Sequence, residues 1–146
     1  MPCGTSARLT AYVAYQNLAF AERDVLVAAL TNAGYTDIDV AQAGSEANNP
    51  LTVCDSSGRV VAAAAVVVRA SHLPNGFGDL GLVMVEGAYV PLLPSDARSP
   101  HVLKSLRLGY GRAKATQLAD QARRRYGASV RRSVSADGSV TIRVRF

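Results

Sequence analysis

Nine consecutive residues, Val60-Val61-Ala62-Ala63-Ala64-Ala65-Val66-Val67-Val68, carry neither a charge nor a side-chain hydrogen-bonding group. Valine is stiff at χ1 and packs well on a pleated surface, so a valine-flanked run favours strand over helix. A half-solvated strand would alternate apolar and polar residues. This one does not, and it reads as a central strand covered on both faces. The run is also far short of the ~20 apolar residues a helix needs to cross a bilayer. Upstream, Asp55-Ser56-Ser57-Gly58 is a turn sequence preceded by Leu51–Cys54. Leu51 to Cys54 and Arg59 to Arg69 are therefore predicted to form the two arms of a hairpin.

The other segments show the same two periods. Leu9, Ala11, Val13 and Tyr15 alternate with Arg8, Thr10, Tyr12 and Ala14, which predicts a half-buried strand. Phe20 to Ala33 reads as a helix with Val25, Leu26, Ala29 and Leu30 on its apolar face and Gly34 as its stop. Thr36 to Ala41 is strand-like, and Gln42 to Pro50 is a loop. Leu80 to Val85 and Ala88 to Leu93 form a second hairpin around Glu86-Gly87. Ser99-Pro100 then opens a long helix running to about Tyr126, with Gly127 beyond it. Its expected apolar stripe is Leu103, Leu106, Tyr110, Ala113, Leu118 and Ala122. Gly109 and Gly111 each cost such a helix roughly 1 kcal/mol against Ala, which predicts close packing against the sheet or a kink.

For the last hairpin the register can be worked out. A two-residue turn at Asp137-Gly138 would set Ile142 against Ser133 and Val144 against Arg131, mixing polar and apolar groups on one face. A three-residue loop, Ala136-Asp137-Gly138, instead pairs Val134 with Val140, Val130 with Val144 and Ala128 with Phe146. The three-residue loop is the expected one. Arg131 then lies opposite Arg143, Ser133 opposite Thr141, and Ser129 opposite Arg145.

Together these elements predict one α+β domain over residues 1–146. It should hold a mainly antiparallel sheet of about six to eight strands with two helices packed on one face. With 49% apolar and 18% charged residues, the chain can bury a core of ordinary size. Residues 1–73 and 74–146 each hold a glycine-stopped helix and a hairpin closed by an Asp-and-Gly turn. They read as halves of a duplicated β-α-β-β unit or as two ordinary helix–hairpin units.

Charge is divided unevenly along the chain. Through Leu73 there are four basic and six acidic residues; from Pro74 onward there are twelve basic and five acidic. Arg107, Arg112, Lys114, Arg123, Arg124 and Arg125 fall on the long helix, and Arg131, Arg143 and Arg145 on the outer face of the last hairpin. Arginine dominates this set, and its planar fork suits carboxylates and phosphates. Three uses fit such a face: simple solvation, an acidic protein surface, or a nucleic-acid backbone. Apart from Tyr126, no aromatic interleaves these arginines to stack bases, and no helix-turn-helix, zinc-finger or RRM pattern is present. The expectation is an accessory subunit that docks this face on an acidic surface in a larger protein assembly. A nucleic-acid-binding module is the alternative.

No reaction is written in the sequence. His72 and His101 sit in loop contexts without a Cys or acidic partner at ligand spacing, so no metal site is expected. Asp79 reads as part of a turn into a strand, and Asp96, with Ser95 and Ser99, as capping chemistry before the long helix. There is no phosphate-binding glycine loop and no serine elbow. The expectation is a non-enzyme without a cofactor. Cys3 and Cys54 are read as free thiols in a reducing compartment. The first residues lack a basic stretch followed by an apolar one, so a secretory signal is not expected. Bacterial cytoplasm or the stromal or matrix side of an organelle fits best.

Five short motifs recur in an order that resembles a known family. They are Gly34-Tyr35, Asp79-Leu80-Gly81-Leu82, Glu86-Gly87-Ala88-Tyr89, Tyr110-Gly111 and Asp137-Gly138-Ser139-Val140. The chain resembles the hypothetical chloroplast open reading frame thirty-five family, a domain of unknown function in plastids, cyanobacteria and other bacteria. That resemblance implies an α+β fold and brings no activity with it.

Overall fold

The computed structural model describes residues 11–73, 76–126, 129–134, 136 and 140–145. Along the chain lie β1 (Tyr12–Ala14), α1 (Arg23–Asn32), β2 (Ile38–Val40), β3 (Leu51–Cys54), β4 (Val60–Ala64) and β5 (Val66–Val68). They are followed by β6 (Leu80–Val85), β7 (Ala88–Pro94), α2 (Ser99–Tyr126), β8 (Ser129–Val134) and β9 (Val140–Arg145). The class is α+β. Two compact units interleave along the sequence, one of Met1–Ala19 with Asp37–Pro100 and one of Phe20–Thr36 with His101–Phe146.

The first unit holds a five-stranded antiparallel sheet in the order β1-β7-β6-β5-β2 and a separate β3–β4 ribbon. The long strand expected from Arg59 to Arg69 breaks at Ala65. Before the break, β4 pairs with β3; after it, β5 sits between β6 and β2. Ala65 keeps its backbone paired through the change, donating to the Leu82 carbonyl at 2.9 Å and accepting from the Ala41 N–H at 2.8 Å. The valines diverge accordingly. Val66, Val67 and Val68 are fully buried, whereas Val60 is 58% exposed. The central-strand reading therefore holds for the last third of the run as an interior strand, and the middle position belongs to β6.

The ribbon packs on one face of this sheet. Val67, Gly81 and Leu92 form a row across β5, β6 and β7. Val53 and Ala64 of the ribbon cluster with Val67 and Leu92, bordered by Tyr12, Leu51, Ala62 and Val83. Gly81 is the notch that admits them: a Cβ there would lie 2.8 Å from Val53 Cγ2 and 3.4 Å from Ala64 Cβ. Gly81→Ala is expected to cost about 1–3 kcal/mol by overpacking, read from urea denaturation. No loss of stability would mean that the ribbon does not seat on Gly81.

Both predicted turns in this unit form. The Asp55 carboxylate accepts from the Ser57 hydroxyl at 2.6 Å and from the Ser57 and Arg59 N–H groups, each at 3.0 Å. That hydroxyl and those amides hold Asp55 below the usual carboxylate range. Glu86 and Gly87 both have positive φ, +50° and +82°, as a two-residue type I′ turn requires.

In the second unit, α1 buries Val25, Leu26, Ala29 and Leu30, the four residues its spacing selects. It ends in a Schellman motif: the Gly34 N–H donates to Thr31 O at 3.0 Å and the Tyr35 N–H to Leu30 O at 3.2 Å. The 28-residue α2 departs from its expected stripe. Val102, Leu106, Ala115 and Ala119 are buried, whereas Leu118 is 48% exposed. Gly109 meets α1, since a Cβ on it would lie 3.8 Å from both Ala29 Cβ and Ala29 O. Gly111 is exposed with nothing within 4 Å, so packing does not account for it. The Phe20 and Tyr110 rings lie 4.7 Å apart, and the Tyr110 hydroxyl accepts the Glu22 N–H at 3.2 Å.

The last hairpin has the derived register. Val134 pairs with Val140, Val130 with Val144, Arg131 with Arg143, and Ser129 with Arg145. The Asp137-Gly138 loop conformation, the Ala128–Phe146 pair, the Gly127 stop, Cys3 and the start of the first strand lie outside the described residues. Among the described residues, no helix is long and apolar enough to cross a membrane.

Candidate functional site

Asp79 is the most buried acid among the described residues, 5% exposed, and the structure supplies the partner that sequence could not name. It stands just before β6 on the face that meets the ribbon. Its Oδ2 accepts from the Cys54 N–H at 2.9 Å and from Arg69 Nη1 at 3.1 Å; its Oδ1 accepts from the Ala70 N–H at 3.0 Å. Arg69 reaches onward to Asp39 of β2, with Nε 2.8 Å from Oδ2, and to the Thr52 carbonyl of β3 at 2.9 Å. Across the ribbon end, the Tyr12 hydroxyl lies 2.8 Å from the Asp79 carbonyl and 3.2 Å from that of Cys54. Burial, then the nearby Asp79 and Asp55 charges, push the Tyr12 phenol well above its usual range.

The buried Asp79 carboxylate thus takes three protein hydrogen bonds, from the end of β3 and from Arg69-Ala70. The cluster is a latch that binds β1, β2, the ribbon and the entry to β6. The turn-to-strand reading of Asp79 stands, with this structural role added.

Asp96 also acts locally, ahead of α2. It accepts from the Arg98 N–H at 2.8 Å and from Arg98 Nε at 2.9 Å, while Arg98 stacks over Phe77 at 5.6 Å from the ring centre. The Ser99 hydroxyl bonds to the Pro94 carbonyl. The Arg98 side chain lowers Asp96 from 3.8 to about 2. Because the folded value lies below the unfolded one, the pair's contribution is complete above pH 3.8 and lost as pH falls through about 2. A carboxyl NMR titration of Arg98→Ala should move Asp96 back toward 3.8. An unmoved titration would remove Arg98 as the cause.

The basic residues of α2 have a different environment. This helix carries seven basic residues and one acid, Asp120. Arg107, Arg112, Arg124 and Arg125 are exposed and have no carboxylate partner among the described residues. Lys104 shares that state and was missed by the sequence reading; its signal is its place one turn before Arg107. Two members of the expected set turn inward to their own chain. Lys114 Nζ binds Glu22, the residue just before α1, and Arg123 pairs with Asp120 at 3.4 Å. Both thus have a carboxylate of their own chain, unlike the other members of the expected set described on α2. On β9, Arg143 is exposed; the side chains of Arg131 and Arg145 lie outside the described set, as does that of His72. His101 is exposed on the first turn of α2.

Arg107 and Arg125 are five turns apart at about 3.6 residues per turn, so they share one azimuth of the helix. Lys104 and Gly111 lie close to the same line. At about 100° per residue Arg112 and Arg124 lie well off that line, so the site is a helix carrying exposed cations on more than one side. Among the described residues, no three His, Cys, Asp or Glu side chains converge as a metal site would need. Cys54 is a free thiol at the ribbon end.

The fold and these cations define an α+β protein with a strongly cationic helix. In comparisons with known proteins, no family model, no curated protein and no solved structure matches this chain.

Proposed function

We propose that this protein is a non-catalytic interaction subunit that docks its cationic helix α2 on an acidic surface of a partner protein. The observation that carries this reading is a contrast in pairing. Arg69 and Arg98 are spent on the chain's own carboxylates, whereas Lys104, Arg107, Arg112, Arg124 and Arg125 face solvent on one helix without such partners among the described residues. Like charges gathered on one element repel, so the arrangement favours an external anion. Arg143 on β9 and the neighbouring Arg131 and Arg145 extend the proposed set. A reducing compartment, bacterial cytoplasm or an organelle interior, is the proposed setting. The likeness to the hypothetical chloroplast open reading frame thirty-five family is kept as a proposal of kinship that brings no activity.

The test compares labelled polyglutamate with mixed-sequence RNA and duplex DNA by fluorescence anisotropy across a salt series. Polyglutamate should bind, and Arg107→Glu with Arg125→Glu should weaken it by about tenfold or more while the fold persists by circular dichroism. Unchanged polyglutamate affinity in the double variant would overturn the assignment. Sub-micromolar nucleic-acid binding with a steep log–log salt slope, together with no polyglutamate binding, would replace it with the nucleic-acid reading.

A further inference from the structure

The α1–α2 pair has a second feature besides its charge. The two helices touch where Ala29 meets Gly109, and beside that contact they flank a groove of about 490 Å³. Ala28 of α1, Ala33 at its C-cap, and Leu108 and Ala113 of α2 supply its apolar lining. Ser105, Arg112 and Thr116 follow one another along the α2 wall, at four- and seven-residue steps that keep them on one side of the helix. Among the described residues, no acid lines the groove.

We propose that this groove seats an acidic amphipathic helix of a partner protein, with its apolar face against Ala28, Ala33, Leu108 and Ala113 and a carboxylate on Arg112. The inference rests on the docking reading above and names the form of the partner. Three arguments select this occupant. The volume lies within the ~300–1,000 Å³ of ligand-sized sites. Yet Ala28, Ala33, Ser105 and Arg112 are all solvent-exposed, so the groove lies open. A small molecule would stay half in water there, whereas a helix laid across the groove would cover it. The small side chains on both walls let a third backbone come close, as in helix-in-groove recognition.

Charge sets the sign of the occupant. Arg112, the one charged residue among the described lining, has no carboxylate partner among the described residues. A basic segment would meet this uncompensated cation, whereas an acidic one would neutralise it.

The full chain is titrated against a labelled peptide of about 18 residues, with Leu at helical i, i+3, i+4, i+7 spacing and Glu elsewhere, long enough for several helical turns. Controls are a scrambled peptide of the same composition and dodecanoate. The amphipathic peptide should bind at least about tenfold more tightly than the scramble. Ala28→Trp, which fills the groove from an exposed position, should weaken it about tenfold and leave polyglutamate binding unchanged. Arg112→Glu should weaken it comparably. Equal binding of the two peptides, or indifference to Ala28→Trp, overturns the groove proposal and leaves the charge reading intact. Dodecanoate binding without peptide binding assigns the groove to a free carboxylate and overturns it as well. Failure of the Arg107→Glu and Arg125→Glu test instead removes the charge reading itself.

Discussion

Asp79→Ala lowers the unfolding free energy by about 3–5 kcal/mol, the largest single loss expected in this protein. The substitution leaves the Cys54 and Ala70 N–H groups without their acceptor and takes from Arg69 its most buried anion. An orphaned buried donor costs about 1–3 kcal/mol, and two are created at once. For a chain of this size the midpoint should fall by roughly 10 °C. Asp39→Ala is the informative contrast. It removes the other carboxylate on Arg69, but that side chain is 48% exposed, so water replaces it and the loss should stay under about 1 kcal/mol. Thermal melts of the two variants decide the point. Equal losses would mean that Asp79 acts as one surface charge among others and that the latch does not hold the ribbon.

The second large effect is at Gly78, one residue earlier. Its φ is +89°, a conformation L side chains rarely adopt, and a Cβ there would lie 2.5 Å from the Tyr12 hydroxyl and 3.0 Å from the Ser56 nitrogen. Gly78→Ala is expected to cost roughly 3 kcal/mol, part backbone conformation and part collision. The collision can be separated from the conformational cost. Tyr12→Phe removes the hydroxyl and its bond to the Asp79 carbonyl, costing about 1 kcal/mol alone, and also clears space for the new methyl. The double variant should therefore be more stable than the sum of the single losses implies, by about 1 kcal/mol. Strict additivity would leave the hydroxyl without a part in the Gly78 effect.

Both predictions act where strand ends converge, and this is where the sequence was least legible. Asp79 and Arg69 are ten positions apart, in segments that separately read as a turn and a strand end. Nothing local in either segment announces that one guanidinium will bridge Asp79, Asp39 and the Thr52 carbonyl. The break at Ala65 is hidden for the same reason. Val60–Val68 has a uniform composition, and only the partners of each part, β3 for one and β6 with β2 for the other, divide it. Leu118 shows the limit of periodicity. Its spacing fits the apolar stripe of α2, but Ala115 and Ala119 are buried in that stretch while Leu118 faces solvent.

Local chemistry was legible wherever it ruled. Chain order alone settled the hairpin at β8–β9, because a slip of one residue would have turned its valines to the wrong face. It also set the stop of α1, the turn at Asp55–Gly58, the turn at Glu86-Gly87, the span of α2 and the concentration of cations on that helix. Each of these depends on residues within a turn or a strand pair of one another. Tertiary structure alone decided which cations remain unpaired, with Lys114 drawn to Glu22 and Lys104 left exposed, and which glycine, Gly81, receives the ribbon. Those outcomes depend on distances between segments far apart in the chain, and such distances exist only once the chain has packed.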